Sequence, residues 1–255
     1  MEKKRTIIVG DVHGCLDETK RLLDVLKHDT SLDRLIFLGD LVDRGPESAG
    51  CVQYVRRLGA ECVMGNHDNK LMRFHKHELK RRENPKYRNP INYGKEQVIQ
   101  YNLMSDEDLS WLCNSVPNHI VLEEENTVLM HAGVMGHCHP LRQPKEAYIY
   151  CRYVDQGTGR MVNLGKNYQR PDNSLFWTDL YDHPMHVVYG HQVVSLDKPR
   201  IVTNSSGGIT YGIDTGSCYG GKLTALVLET DGQKNIVQVD SHFKHKDFEL
   251  VDRIL

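Results

Sequence analysis

The chain has 255 residues, 39% of them hydrophobic and 26% charged, with a formal net charge of -2 at pH 7. That length accommodates one sizeable α/β core, and the balance is that of a soluble globular protein rather than a disordered chain. The near-neutral charge and the 7% aromatic content remove the basic field and stacking platform of a nucleic-acid-binding module, and no apolar run approaches the roughly 20 residues of a membrane helix.

Met1-Glu2-Lys3-Lys4-Arg5 leads into a strand without the apolar segment of a secretory signal. The cysteines, Cys15, Cys51, Cys62, Cys113, Cys138, Cys151 and Cys218, are odd in number and form no Cys-x-x-Cys pair. They read as reduced thiols, so a cytoplasmic protein is expected, with no membrane partner. Thr6 to Val9 reads as a strand, Leu16 to Lys27 as a helix, and Leu35 to Leu38 as a second strand. A helix over Ser48 to Leu58 follows Pro46, and Val63-Met64 closes a third short strand. This β-α-β-α-β order predicts a parallel sheet with right-handed crossovers. Asn69 to Arg82 is a cation-rich helix, and Ser105 caps another whose first turn is acidic. Pro144 to Asp182, with Gly157, Gly159, Gly165 and Pro171, has little periodicity and reads as an irregular insertion or flap. The last third is strand-rich: Val187 to Tyr189, Ile209 to Ile213, Leu223 to Leu228 and Ile236 to Val239. With no repeat and no long linker, the expectation is a single domain over 1–255, a two-sheet β-sandwich flanked by helices.

Five polar motifs punctuate these elements: Gly10-Asp11-Val12-His13-Gly14, Gly39-Asp40-Leu41-Val42-Asp43-Arg44-Gly45, Gly65-Asn66-His67-Asp68, His131-Ala132-Gly133 and Gly190-His191. Four follow an apolar run that reads as a buried strand, and the third follows the shorter Glu61-Cys62-Val63-Met64. Carboxylate, imidazole and amide groups are therefore predicted at strand ends, where open α/β sheets bind ligands. Such donors suit hard or borderline divalent metals, in numbers sufficient for two ions.

In this order the motifs resemble those of the calcineurin-like metallophosphoesterases, most closely the phosphoprotein phosphatase branch that includes symmetrical diadenosine tetraphosphate hydrolases. One motif alone would say little; five in order, over residues 10–191, are specific. The resemblance implies two divalent ions that lower the pKa of a bridging water and clamp a phosphate. Asp11 and His13 would hold one ion, Asp40 would bridge, and Asn66, His131 and His191 would complete the second site. If Asp11 and His13 stayed on a strand, their spacing would put both on one face. Mn2+ is the expected ion, with Fe, Zn, Ni or Mg as alternatives. His67 would be the general acid, paired with Asp43, and Arg44 and Asn66 would bind phosphate. A second phosphate-binding arginine is implied; Arg152 is preferred over Arg160 and Arg170.

Other residues have plainer readings. Asp68 reads as a helix cap. His28, His75, His77, His119, His137, His139, His183, His186, His242 and His245 read as surface or core residues, and His137-Cys138-His139 as solvated rather than metal-binding. Gly216 to Leu223 nearly matches a phosphate-binding loop, but Leu223 replaces the hydroxyl residue and a strand follows, so it reads as a glycine turn at the rim. Ile213-Asp214-Thr215-Gly216 and the following Gly221 to Leu226 resemble the C-terminal part of bacterial diadenosine tetraphosphatases and of the phosphatase module of RNA end-healing enzymes. Lys70, Arg73, Lys76, Lys80, Arg81, Arg82, Lys86 and Arg88 read first as a solvated helix face and second as a basic rim for a polyanion. The expected activity is hydrolysis of a phosphorylated small molecule or nucleotide, with dinucleoside polyphosphates preferred. A serine/threonine phosphoprotein phosphatase is the alternative, and a scaffold without activity is disfavoured because no ligand position is broken.

Overall fold

A computed structural model describes residues 4–163 and 169–245, so Met1 to Lys3 and Gly165 lie outside the described residues. The chain begins β1 (Arg5–Val9), α1 (Leu16–Val25), β2 (Asp33–Phe37), α2 (Ser48–Arg57), β3 (Glu61–Cys62) and α3 (Asn66–Glu83). It continues through α4 (Lys95–Asn102), α5 (Asp106–Asn114), β4 (His119–Leu122), β5 (Thr127–Met130) and α6 (Lys145–Tyr150). Next come β6 (Tyr153–Asp155), β7 (Met161–Val162), β8 (Ser174–Phe176), α7 (Trp177–Leu180) and β9 (His186–Tyr189). β10 (Arg200–Thr203), β11 (Ile209–Gly212), β12 (Lys222–Leu228) and β13 (Lys234–Asp240) complete the order.

Two five-stranded sheets result, ordered β13-β12-β1-β2-β3 and β10-β11-β9-β5-β4. β1, β2 and β3 are parallel, whereas β12 and β13 add antiparallel strands. In the second sheet β5, β9 and β11 are parallel, with antiparallel edges β4 and β10. Strand alternation builds the layers. Ile8 and Ile36 of the first sheet meet Leu129 and Val188 of the second in the inner core. Ile7, Val9 and Phe37 face outward, covered by Leu22 of α1, Val52 of α2 and Leu109 of α5. On the outside of the second sheet, Val128, Met130 and Val187 pack beneath Tyr148, Tyr153 and Trp177. The architecture is two mixed sheets flanked by helices.

Four expectations need correction. The third strand is Glu61–Cys62, two residues before Val63-Met64. α3 starts at Asn66 rather than Asn69, because Gly65 is its N-cap and the Asp68 carboxylate accepts the Gly65 N–H at 3.2 Å. Asp11 and His13 lie beyond the end of β1, and His13 has φ 47°, so strand alternation does not align them. The stretch 144–182 is not an irregular flap over its described residues: it holds α6, α7 and a three-stranded sheet β7-β6-β8. Strands of two or three residues leave no alternation to read. Ser105 caps α5 as expected, accepting the Asp108 N–H at 3.1 Å.

Candidate active site

Six strands run toward one rim. β1, β2 and β3 deliver Asp11, Asp40 and Asn66; β5, β9 and β11 deliver His131, His191 and Asp214. The first two loops are tied together: the His13 N–H donates to the Asp40 carbonyl at 2.7 Å, and the Gly14 N–H to that of Leu41 at 2.9 Å. His13, Asp40, Asp43, Arg44 and His191 have φ of 47°, 49°, 70°, 69° and 69°. Left-handed backbone is unfavourable for these residues, and such strain tends to collect at functional sites. Close approach also explains Gly190, where a Cβ would collide with the Asp11 carboxylate.

The side chains converge in two overlapping sets, His13-Asp40-His67 and Asp40-His131-His191, with donor atoms in each within 4.8 Å of one another. The His131 Nδ1 is 2.8 Å from the Leu38 carbonyl, which can only accept. Nδ1 therefore carries the proton, and Nε2 presents a lone pair. That Nε2 lies 3.0 Å from His191 Nδ1, 3.1 Å from Asn66 Oδ1 and 3.5 Å from Asp40 Oδ2. His13 repeats the arrangement: Nδ1 donates to the Val42 carbonyl at 2.9 Å, and Nε2 lies 3.3 Å from Asp40 Oδ2 and 4.0 Å from Asp11 Oδ2. Backbone acceptors that fix an imidazole tautomer are the usual outer support of metal-binding histidines. Burial pushes His13, His131 and His191 below the ordinary imidazole value, leaving them neutral. Burial opposes the charge on Asp40, but attraction to His131, His67 and His13 when they are protonated, and to Arg44, which stays charged when the histidines are neutral, outweighs it and holds its carboxyl well below the usual range. Neutral imidazoles and an ionised bridging carboxylate are the protonation states that metal binding requires. The donor set fits divalent cations.

Beside it, His67 Nδ1 meets Asp43 Oδ2 at 2.6 Å, and the Tyr93 hydroxyl donates to Asp43 Oδ1 at 3.2 Å. Arg44 bridges two imidazoles of the first set: Nη1 donates to His13 Nε2 at 2.8 Å and Nη2 to His67 Nε2 at 3.1 Å. Its guanidinium lies 5.3 Å from the centre of the Tyr219 ring, which places the 216–223 glycine turn at the rim. Arg152 reaches the same region, its Nη2 donating to the His191 carbonyl at 3.4 Å, and its Nε is buried without a protein hydrogen-bond partner. Burial and then Arg44 lower its pKa. Arg160 and Arg170 are exposed, with Arg170 over the Tyr153 ring. Of the three candidate arginines, Arg152 is the one whose contacts reach the histidine cluster.

All ten residues singled out by the motifs and the arginine search lie within this contact network. Sequence reasoning gave no role to Asp214, which is 6% exposed with an Oδ2 lacking a protein hydrogen-bond partner. Burial raises its pKa to about 6, and burial together with Asp214 and Asp40 raises that of Asp11. Its signal was present: Asp214 follows a buried strand, as Asp11 and Asp40 do. Tyr93 left no such signal. Among the described residues, His137, Cys138 and His139 belong to no cluster with metal-ligand geometry; His139 packs on His183.

The pattern of the calcineurin-like phosphoesterases matches residues 4–215. The chain belongs to that family. Membership makes it a hydrolase that uses divalent metal ions. A relative from Oceanobacillus iheyensis is 31% identical over 237 residues, covering 86% of each chain. Another, from Geobacillus thermodenitrificans, is 33% identical over 240 residues, covering 86% of this phosphoesterase and 88% of the relative. Both are named bis(5'-nucleosyl)-tetraphosphatase PrpE, asymmetrical. The crystal structure of a candidate diadenosine tetraphosphatase superposes with a TM-score of 0.74 at 27% identity, covering 93% of this chain and 94% of that one. Among the described residues of the phosphoesterase, no helix is long and apolar enough to cross a membrane.

Proposed function

We propose that this phosphoesterase hydrolyses dinucleoside polyphosphates at a two-metal centre, with Asp11, His13 and Asp40 holding one ion and Asp40, Asn66, His131 and His191 the other. The observation that carries the reading is the sharing of Asp40 between two converging donor sets. The names of the relatives support the substrate class. Bound there, two divalent ions supply a water of lowered pKa and neutralise the phosphoryl oxygens. Mixed oxygen and nitrogen donors without a thiolate favour Mn2+. Arg44 and Arg152 bind phosphate oxygens, Arg44 by turning its fork from the two imidazoles to the substrate, and Asn66 adds a polar contact beside them. Asp43 fixes one proton of His67 at Nδ1; once Arg44 has turned away, the doubly protonated imidazole delivers its second proton, from Nε2, to the leaving phosphate. The names also indicate asymmetric cleavage, whereas the sequence resemblance pointed to symmetrical enzymes. The seven thiols, none of them in a disulfide, support placement in the cytoplasm.

The test is a panel of diadenosine tetraphosphate, mononucleotides and a phosphoserine peptide with Mn2+, Mg2+, Ni2+ and Zn2+. The expected result is the highest kcat/KM for diadenosine tetraphosphate with Mn2+. Efficient peptide turnover without hydrolysis of the dinucleotide would replace this reading by a phosphoprotein phosphatase.

A further inference from the structure

The N-terminal turn of α3 holds Asn66 against His131, and the His67 N–H donates to Asp40 Oδ1 at 2.9 Å. From there the helix runs outward for 18 residues. At 100° per residue, Asn69, Arg73 and Lys80 fall on the same side as Asn66. With a rise of 1.5 Å per residue, Arg73 stands about 10 Å along the axis from Asn66, and Lys80 about 21 Å.

A second element meets this side. Tyr150 ends α6, two residues before Arg152, and its ring is 38% exposed. Its hydroxyl donates to Asn69 Oδ1 at 3.0 Å, and it lies within reach of the Arg73 guanidinium. Asn69 is one helical turn from Asn66 and Tyr150 is two residues before Arg152, so this contact lies beside the donor cluster. Arg73 has no carboxylate partner among the described residues, whereas Arg81 on the same helix is bound to Glu78 at 2.5 Å. Helix geometry turns Arg82 to the opposite side from Asn66. Among the helix cations, Arg73 therefore stands beside the cluster and Lys80 further out, while Lys70 covers the Tyr93 ring and Arg81 pairs with Glu78.

We infer that Arg73, beside the Tyr150 hydroxyl that Asn69 holds in place, is the subsite for the distal phosphates of the leaving nucleotide. This assignment rests on the dinucleoside polyphosphate reading above. With the scissile phosphate between Arg44 and Arg152, the remaining phosphates extend outward, and beyond Lys70, whose ammonium covers the Tyr93 ring, the first cation on this side of α3 is Arg73. An arginine fork suits phosphate oxygens, and a neighbouring tyrosine held by Asn69 restricts the rotamer freedom lost on binding. Arg73 is a specificity-determining residue: it contacts a part of the substrate that a single phosphate ester lacks.

The test compares diadenosine tetraphosphate with p-nitrophenyl phosphate in the Mn2+-loaded enzyme. Arg73→Ala should lose about tenfold more kcat/KM on the dinucleotide than on the aryl ester, the scale of one charge-assisted hydrogen bond. Arg73→Lys should recover part of the loss, and Tyr150→Phe should show a smaller loss with the same selectivity. Lys80→Ala should lose less than Arg73→Ala. Inorganic tripolyphosphate, used as a competitive inhibitor, should weaken in Arg73→Ala by a factor similar to that for the dinucleotide. Equal losses on both substrates, or none, would overturn the assignment of Arg73 while leaving the substrate class standing. A wild-type enzyme that cleaves the aryl ester but not diadenosine tetraphosphate would remove both.

Discussion

At the start of β1 and β2, Arg5 grips Asp33 through hydrogen bonds of 2.8 and 2.7 Å, and Arg34 holds Glu61 at 2.6 and 3.0 Å. At the far end of these strands and of β11, Asp11, Asp40 and Asp214 are 3%, 1% and 6% exposed. They share their space with neutral histidines rather than with arginine forks of their own. The near end neutralises each charge locally. The far end collects like charges and left-handed backbone, an arrangement that costs stability and makes sense where a cation and a phosphate are to be bound. Substitutions at the two ends should therefore separate cleanly into effects on turnover and effects on folding.

The largest effect is expected at the shared carboxylate. Asp40→Asn should reduce turnover to the level of the chelated wild type, and metal analysis should show fewer ions per chain. Full activity with one tightly held ion would break the two-metal reading and, with it, the rationale for crowding acids at this end. Adding back the ion should raise the melting temperature of the wild type, because a ligand at 100 times its Kd contributes about 2.7 kcal/mol.

His67 poses a sharper question, because it lies within reach of His13 and Asp40 and a carboxylate-bound imidazole is also a common metal ligand. If it is the acid, His67→Ala should lower kcat by about 10²–10⁴-fold while the metal content stays near that of the wild type. The loss should shrink for aryl phosphates, whose leaving groups need less protonation. A proportional loss of metal would move His67 into the ligand set.

What was legible in the sequence follows the same division. Asp11, Asp40, Asn66, His131 and His191 each sit just past a strand, so a short window shows both the apolar run and the polar residue. Tyr93 acts across 50 residues on Asp43 from a segment with no regular period, and no window contains both. Asn69 and Tyr150 are likewise brought together across 81 residues. The start of α3 was placed late because Gly-Asn-His-Asp reads as a loop. Only the Asp68 bond to Gly65 shows that Asn66 and His67 occupy its first turn. β10 alternates between half-buried and exposed residues at a sheet edge, which gives a weak strand signal.

A smaller kinetic effect is expected from Tyr93, whose ring stacks on Phe74 at 4.6 Å and is covered by the Lys70 ammonium at 5.2 Å. Tyr93→Phe keeps this packing and removes the donor to Asp43. The loss in kcat should be about tenfold, the lower end of the worth of one hydrogen bond to a charged group. Because Tyr93 acts through Asp43 and His67, the loss should grow with the pKa of the leaving group. A loss that ignores the leaving group would make Tyr93 part of the packing alone.

No kinetic effect is expected from Asp33, at the near end. Asp33→Asn leaves an amide facing the Arg5 fork and removes one oxygen of a pair that is 2% exposed on the Asp33 side. The expected loss of stability at pH 7 is about 1.5–3 kcal/mol, read as a lower melting temperature at about 2–4 °C per kcal/mol for a chain of this size. Its pH dependence fixes the cause. Burial alone would raise the Asp33 pKa, but the hydrogen bonds from Arg5 and the Asp29 N–H outweigh it and hold the value below the ordinary one. The unfolded chain therefore binds the proton first as pH falls. The stabilisation is complete above the unfolded value of about 3.9 and is lost as pH drops through the lower folded value. Melting curves of the wild type and Asp33→Asn should differ by a constant amount from pH 5 to 8 and converge below pH 4. A difference that persists into acid would assign the effect to packing, and a change in kcat for the loaded enzyme would show that the two ends of the strands are coupled.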